Sequence, residues 1–434
     1  MLNLESRLEL FVDAFLVEKL KKTTLILHEP RECPTVSESI KGGYCTVIKD
    51  GDLYRFYYRD IKKKYIGERY DGSPGEYTCY AESRDGITWS KPNLGLFEIE
   101  GSRDNNAILA DAAPCSHNFS PFIDIKPGVR EDQRFKALAG VHQGGGLVAF
   151  SSPDGIHWQK MRIEPVITSE GFGFDSQNVA FWSEHENCYV CYFRTMKSRH
   201  GELRTISRTT SEDFIHWTPA ILIDPNEPGE HLYTNQTHPY FRAPHIYIAL
   251  PTRFMPDRGN STDILFMSSR GGNMYDRSFK HAFIRPGLHP ERWGNRSNYA
   301  VLNVVPNSPT EMSLYSCSNN ADLVRYVLRT DGFVSVHADF EEGELLTKYF
   351  KFSGSELIIN FSSSAAGSIL VEIQDTAGSP IPGFRLEECI PAIGDAINHI
   401  VTWKHQSAPG KLAGHPIRLR FVMKEADLYS LRFS

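Results

Sequence analysis

No stretch of this 434-residue sequence approaches the ~20 consecutive apolar residues that a membrane-spanning helix requires, so no helical span is expected. Positive charge is not in excess either. Forty-seven Lys and Arg against 53 Asp and Glu leave a formal net charge of -6, which argues against a nucleic-acid partner, because such partners call for a basic face. There is no GxGxxG after a strand and no P-loop lysine, so nothing points to a nucleotide. The segment GVHQGGGL, from Gly140 to Leu147, is a glycine-rich hairpin that precedes a strand. No cofactor is expected, and metal-ligand spacing is missing. Cys188 and Cys191 form a lone CxxC with no second pair and no nearby HxxxH, and in a strand residues three apart point to opposite faces. The N-terminus lacks the uninterrupted apolar run of a secretory signal, since Glu5, Arg7, Glu9 and Asp13 break it. A cytoplasmic protein is the expectation, with a secreted form whose signal has been removed as the open alternative. The eight cysteines lie largely inside strand-like runs and read as reduced, buried thiols. Helical periodicity is scarce. Only residues 5–20 carry it, and a strand fits there too.

What the sequence does have is a repeat. Ser83 to Trp89 read SRDGITW, Ser152 to Trp158 read SPDGIHW, and Ser211 to Trp217 read SEDFIHW. Each copy follows a short strand candidate. Two weaker units follow, around ILFMSSRGG and in VRYVLRTDGFVSV. Asp-Gly provides the positive φ of a tight turn, and the Ser and Asp side chains can bond to the turn's own backbone. The Trp at fixed offset is expected to be buried between neighbouring units. Units of four strands recurring at such intervals are the signature of a propeller. The reading is an all-β chain: an N-terminal segment over 1–35 that packs on one of the other two parts, a five-bladed β-propeller over 36–341, and a C-terminal β-sandwich over 342–434. The blades divide as 36–112, 113–171, 172–230, 231–290 and 291–341. From Gly343 onward the repeat Trp is gone and strand-like runs alternate with Gly, Pro and Ser turns, as in an antiparallel sandwich.

On these residues the chain resembles the five-bladed propeller glycosidases of glycoside hydrolase families 32, 43, 62 and 68. YAESRDGITWSKPNLG, GSRDNNAIL, FDSQNVAFW and LRTDGFVSVHA further resemble a poorly characterised bacterial glycosyl-hydrolase-like group. The resemblance implies a pocket where the starts of first strands and the ends of second strands meet on one face. First-strand starts then bring Glu38, His117, Asn118, Asp175, Gln177, Asn178, Asn235, His238 and Asn298 to that face. Second-strand ends bring Arg59, His142, Arg194 and Arg253. Trp293 is a candidate for stacking on a sugar.

Glycoside hydrolysis needs two carboxyl groups, one to protonate the leaving oxygen and one to act as nucleophile or base. The resemblance implies acids from the first three blades, and here the match is incomplete: blade two offers His117 and Asn118 where an Asp is expected. Asp175 is the first candidate, with Glu38 or Glu202 as its partner, and the loop of blade one adds Glu68, Asp71 and Glu76. Three readings stay open. One is a hydrolase acting on an oligosaccharide. Another is a phosphorylase whose phosphate is held by arginines and His142, because guanidinium groups bind phosphate bidentately. The third is a sugar-binding protein without turnover.

Overall fold

The computed structural model describes residues 1–33, 36, 37, 39–169, 173–404 and 408–434. It is nearly all β. Among the described residues the only helical pieces are short 3₁₀ turns, and no helix is long and apolar enough to cross a membrane. Residues 5–20 carry strands, not a helix: Glu9–Leu10 and Val17–Lys21 follow Leu2–Glu5. The chain forms two compact units. One comprises 30–308 and 312–327; the other comprises 1–29, 309–311 and 328–434.

The larger unit is built from successive antiparallel sheets. Gly43–Asp50, Leu53–Ile61, Glu76–Ser83 and Ala107–Leu109 pair in sequence order. Ser120–Ile123, Phe135–Ala139, Val148–Ser152 and Gln159–Lys160 repeat the arrangement. So do Val179–Ser183, Cys188–Thr195, Thr205–Ser211 and Ile221–Leu222. Residues 231–269 instead form two interleaved three-stranded sheets. In the last sheet Val305–Pro306, Glu311–Ser316 and Val324–Arg329 are completed by Arg31–Cys33 from the start of the chain. First strands of neighbouring sheets lie beside one another, and Val305–Pro306 returns to Gly43–Asp50. Two backbone bonds fasten that return: Val47 N–H to Leu302 O at 3.1 Å and Leu302 N–H to Cys45 O at 2.9 Å.

The repeated heptapeptides form one turn three times. Ser83 Oγ accepts from Gly86 N–H at 2.9 Å, while Asp85 Oδ1 accepts from Ile87 N–H and Thr88 N–H, both at 2.7 Å. Ser152 with Asp154, and Ser211 with Asp213, repeat these bonds. The third turn residue must adopt positive φ, which is +69° at Gly86, +76° at Gly155 and +70° at Phe214. Phe214 bears the strain because its ring is fully buried against Phe122, Tyr189 and Trp217. Trp89 is buried against Phe56 and Tyr315. Trp158 and Trp217 are half-buried, and each donates its indole N–H to the turn carbonyl, Gly155 O at 3.0 Å and Phe214 O at 3.1 Å.

In the smaller unit the long strands Leu357–Gln374 and Arg418–Phe433 pair antiparallel, with register shifts between Asn360 and Phe361 and between Ser363 and Ser368. Val17–Lys21 pairs with Gly343–Thr347, and Thr23–Leu27 pairs with Val334–Ala338. Phe352 and Phe433 stack at 3.7 Å within a core that includes Leu345, Phe350, Val371 and Phe421. Among the described residues the eight cysteines are free thiols, and all but Cys188 are buried.

Candidate functional site

The strand Gly43–Asp50 begins irregularly. Its register against Leu53–Ile61 shifts between Gly43 and Thr46, and Tyr44 has φ +53°. Bulges re-aim side chains, and a non-glycine residue held at positive φ is strain that the surrounding structure must hold in place. Here the result is that Tyr44 faces a cavity of about 250 Å³. Gly43 lies opposite Arg59, and a Cβ at Gly43 would stand 2.7 Å from Arg59 Nη2, so only glycine lets that guanidinium approach.

Arg59 gathers one wall of the cavity. Its Nη1 is 2.7 Å from His117 Nδ1 and 3.4 Å from Glu76 Oε1, and its guanidinium lies 5.0 Å over the Tyr44 ring. Glu76 is buried. Its Oε2 accepts from Gly72 N–H at 3.1 Å and stands 2.9 Å from His117 Nδ1. Burial pushes the His117 imidazole below its ordinary pKa. Arg59 pushes the same way, and together they outweigh Glu76, which leaves a neutral ring beside the carboxylate. Asp71 is exposed at the rim, 3.8 Å from His117 Nε2.

The other wall is a tyrosine cluster wrapped in arginines. Tyr233 meets Tyr299 edge-on at 5.3 Å, and Tyr299 meets Tyr44 at 6.3 Å. Arg194 and Arg204 lie over the Tyr233 ring at 5.1 and 5.0 Å, and Arg296 Nη1 donates to Tyr233 Oη at 3.4 Å. Burial alone would raise the Tyr233 hydroxyl, but Arg194, Arg296 and Arg204 together draw it below the ordinary phenol pKa. Arg204 is itself lowered, first by burial and then by Arg194. Asn295 and Arg296 both sit at positive φ, +50° and +57°, where they line the cavity.

Tyr44 links this mouth to Asp175, donating to its carbonyl oxygen at 3.2 Å. Asp175 is buried. Its Oδ1 accepts from His142 N–H at 3.0 Å, and its Oδ2 is 3.9 Å from Arg194 Nη2. Beyond that long ion pair Arg194 has no acceptor: its Nε and Nη1 are buried with no hydrogen-bond partner among the described residues, as are Arg59 Nε and Arg204 Nε.

The other sequence candidates fall elsewhere. Glu38 lies outside the described residues. Glu202 is exposed. Asn118 donates its amide to the carbonyls of Gly140, Phe174 and Ser176. Asn178 donates to Phe174 and Ser176, and Asn235 to Tyr192. Gln177 reaches Thr46 Oγ1 at 2.8 Å and accepts from Gln236 at 2.7 Å. Asn298 bonds to the carbonyls of Thr262 and Arg292. His238 faces Gln236 O through Nδ1 and accepts from Val304 N–H at Nε2, 3.1 Å away. Arg253 is held bidentately by Asp263, and with the exposed Trp293 it lines a separate cavity of about 880 Å³. Tyr44, Tyr233, Tyr299, Arg204 and Arg296 escaped the sequence reading. The local signals for them were the paired glycines before Tyr44 and the Asn-Arg turn at Asn295–Arg296.

No family model matches the chain, and no curated protein matches it by sequence. Among solved structures it is similar to the propeller glycosidases. One is described as a glycoside hydrolase, with a TM-score of 0.49 and 11% identity over 71% of this chain and 92% of that one. A family 43 arabinoxylan arabinofuranohydrolase from Bacillus subtilis has a TM-score of 0.44 and 13% identity over 91% and 96%. A β-1,2-mannobiose phosphorylase from Listeria innocua has a TM-score of 0.49 and 10% identity over 67% and 90%. Likeness at this level says nothing about activity, which has to be argued from the side chains.

Proposed function

We propose that the protein cleaves glycosidic bonds in an oligosaccharide seated at the cavity of Tyr44, Arg59, Glu76 and His117. In this reading the sheets between 30 and 327 are the blades of a five-bladed propeller closed by Arg31–Cys33, and the smaller unit is a sandwich. The observation that carries the reading is a pair of buried carboxylates, Glu76 beside His117 and Asp175 beside Arg194, with Tyr44 meeting the His117 ring edge-on and donating to the backbone carbonyl of Asp175. Asp175 accepts a backbone N–H and faces Arg194, surroundings complementary to negative charge, which suits a nucleophile or base. Glu76, buried beside His117 and Arg59, is its proposed partner. Reaction of a broad oligosaccharide panel, in phosphate and in phosphate-free buffer, tests this. Free reducing sugar in both buffers supports hydrolysis. A sugar phosphate formed only with phosphate makes the enzyme a phosphorylase, and binding without any cleavage makes it a sugar-binding protein.

A further inference from the structure

Arg59 and Arg296 line the cavity with Tyr233, and Arg194 and Arg204 lie over the Tyr233 ring. Arg59 is engaged by Glu76 and His117, and Arg194 reaches Asp175 only at 3.9 Å. Arg204 and Arg296 have no carboxylate within ion-pair distance among the described residues, and both are turned to Tyr233. A guanidinium is always charged and presents five donors, so burying one with donors unpaired is costly unless a ligand satisfies them. Arg194 is more than nine-tenths buried and leaves Nε and Nη1 unpaired. Three like charges held around one ring also repel one another. An anion seated in the cavity beside them offsets that repulsion.

We infer that this arginine group receives the carboxylate of an acidic sugar, so that the glycan recognised carries a uronic acid residue at the mouth. The inference rests on the glycosidase reading above. Two features favour a uronate over free phosphate. The arginines border Tyr233, which lines the cavity beside Tyr299, so the ligand meets an aromatic wall as well as charge, which a sugar ring can use and a bare phosphate cannot. Glu76 lines the same cavity and its repulsion grows with ligand charge, so a singly charged carboxylate is better tolerated than phosphate, a good part of which is dianionic near neutral pH. Arg296 lines the cavity at the Tyr233 hydroxyl and can meet the planar carboxylate with paired donors, while Arg194 and Arg204 add positive charge over the Tyr233 ring.

The test is equilibrium binding by titration calorimetry, which does not depend on turnover. The probes are a galacturonate trisaccharide, the corresponding galactose trisaccharide, and inorganic phosphate. The acidic trisaccharide should bind at least about tenfold tighter than the neutral one, and the preference should shrink as salt is raised. Arg296→Gln, at an exposed position, should erase the preference while the melting temperature stays unchanged, and Arg204→Gln should do the same if the first variant fails to fold. Equal affinity for the two trisaccharides overturns the inference and leaves the glycosidase reading standing. Phosphate binding without acidic-sugar binding also overturns it. If no sugar binds and none is cleaved, the glycosidase reading falls and this inference with it.

Discussion

His238 shows how a residue placed at a strand start can serve the fold. Its Nδ1–H donates to Gln236 O and its Nε2 accepts from Val304 N–H, and the second bond requires the neutral ring. Burial pushes its pKa down to about 4. The unfolded chain takes up a proton near the ordinary imidazole pKa of about 6.5, while the folded chain does not until about pH 4. Stability is therefore fully present above that ordinary value and is lost as pH falls toward 4, by up to about 3 kcal/mol. Thermal unfolding across pH 4–7 should show this limb, and His238→Gln should flatten it. Gly43 gives a second residue-scale expectation. Gly43→Ala should displace Arg59 from Glu76 and His117, lowering turnover about tenfold or more with little change in melting temperature, since the far end of Arg59 can move aside. Arg59 and His117, which line one cavity, and the buried Asp175 could be singled out in the sequence because polar residues recur at equivalent strand ends. Asn118, Gln177, Asn178 and Asn235 carry the same signal for another reason: strand starts leave backbone groups that buried amides must satisfy. Arg204 and Arg296 reach Tyr233 from distant segments, a juxtaposition no local pattern encodes.

At the scale of the element, the turns were legible because their bonds are local, running between Ser, Asp and backbone within one heptapeptide. The depth of each tryptophan was not, because it depends on the neighbouring sheet. Trp89 is enclosed by Phe56 and Tyr315, while Trp158 and Trp217 keep part of their surface in solvent. Trp89→Ala should therefore cost about 3–5 kcal/mol, as large aromatic cavities do, and Trp158→Ala and Trp217→Ala distinctly less. Denaturant unfolding of the three variants checks the order. Gly155→Ala should be destabilising by about 1–3 kcal/mol, since its φ is +76° and a Cβ would stand 2.6 Å from Tyr57 Oη.

At the scale of the molecule, the sequence suggested a boundary near 341, whereas Val334–Ala338 pairs with Thr23–Leu27 and Arg418–Phe433 in the smaller unit. The first 33 residues serve both units: Arg31–Cys33 completes the last sheet of the larger one, and Val17–Lys21 and Thr23–Leu27 cover strands of the smaller. Pairing across several hundred residues leaves no local trace. A chain beginning at residue 34 should expose bare strand edges in both units and aggregate, and size-exclusion chromatography with thermal unfolding would show it. The claim that most depends on the whole arrangement is that Glu76 and Asp175, delivered from different sheets, act as one catalytic pair. The direct measurement is turnover by Asp175→Asn beside the wild type, on the glycan the panel identifies, with melting temperatures recorded in parallel. The account predicts a fall of at least ~100-fold with the melting temperature nearly unchanged; a variant that keeps most of its turnover, or that loses its fold, would contradict it.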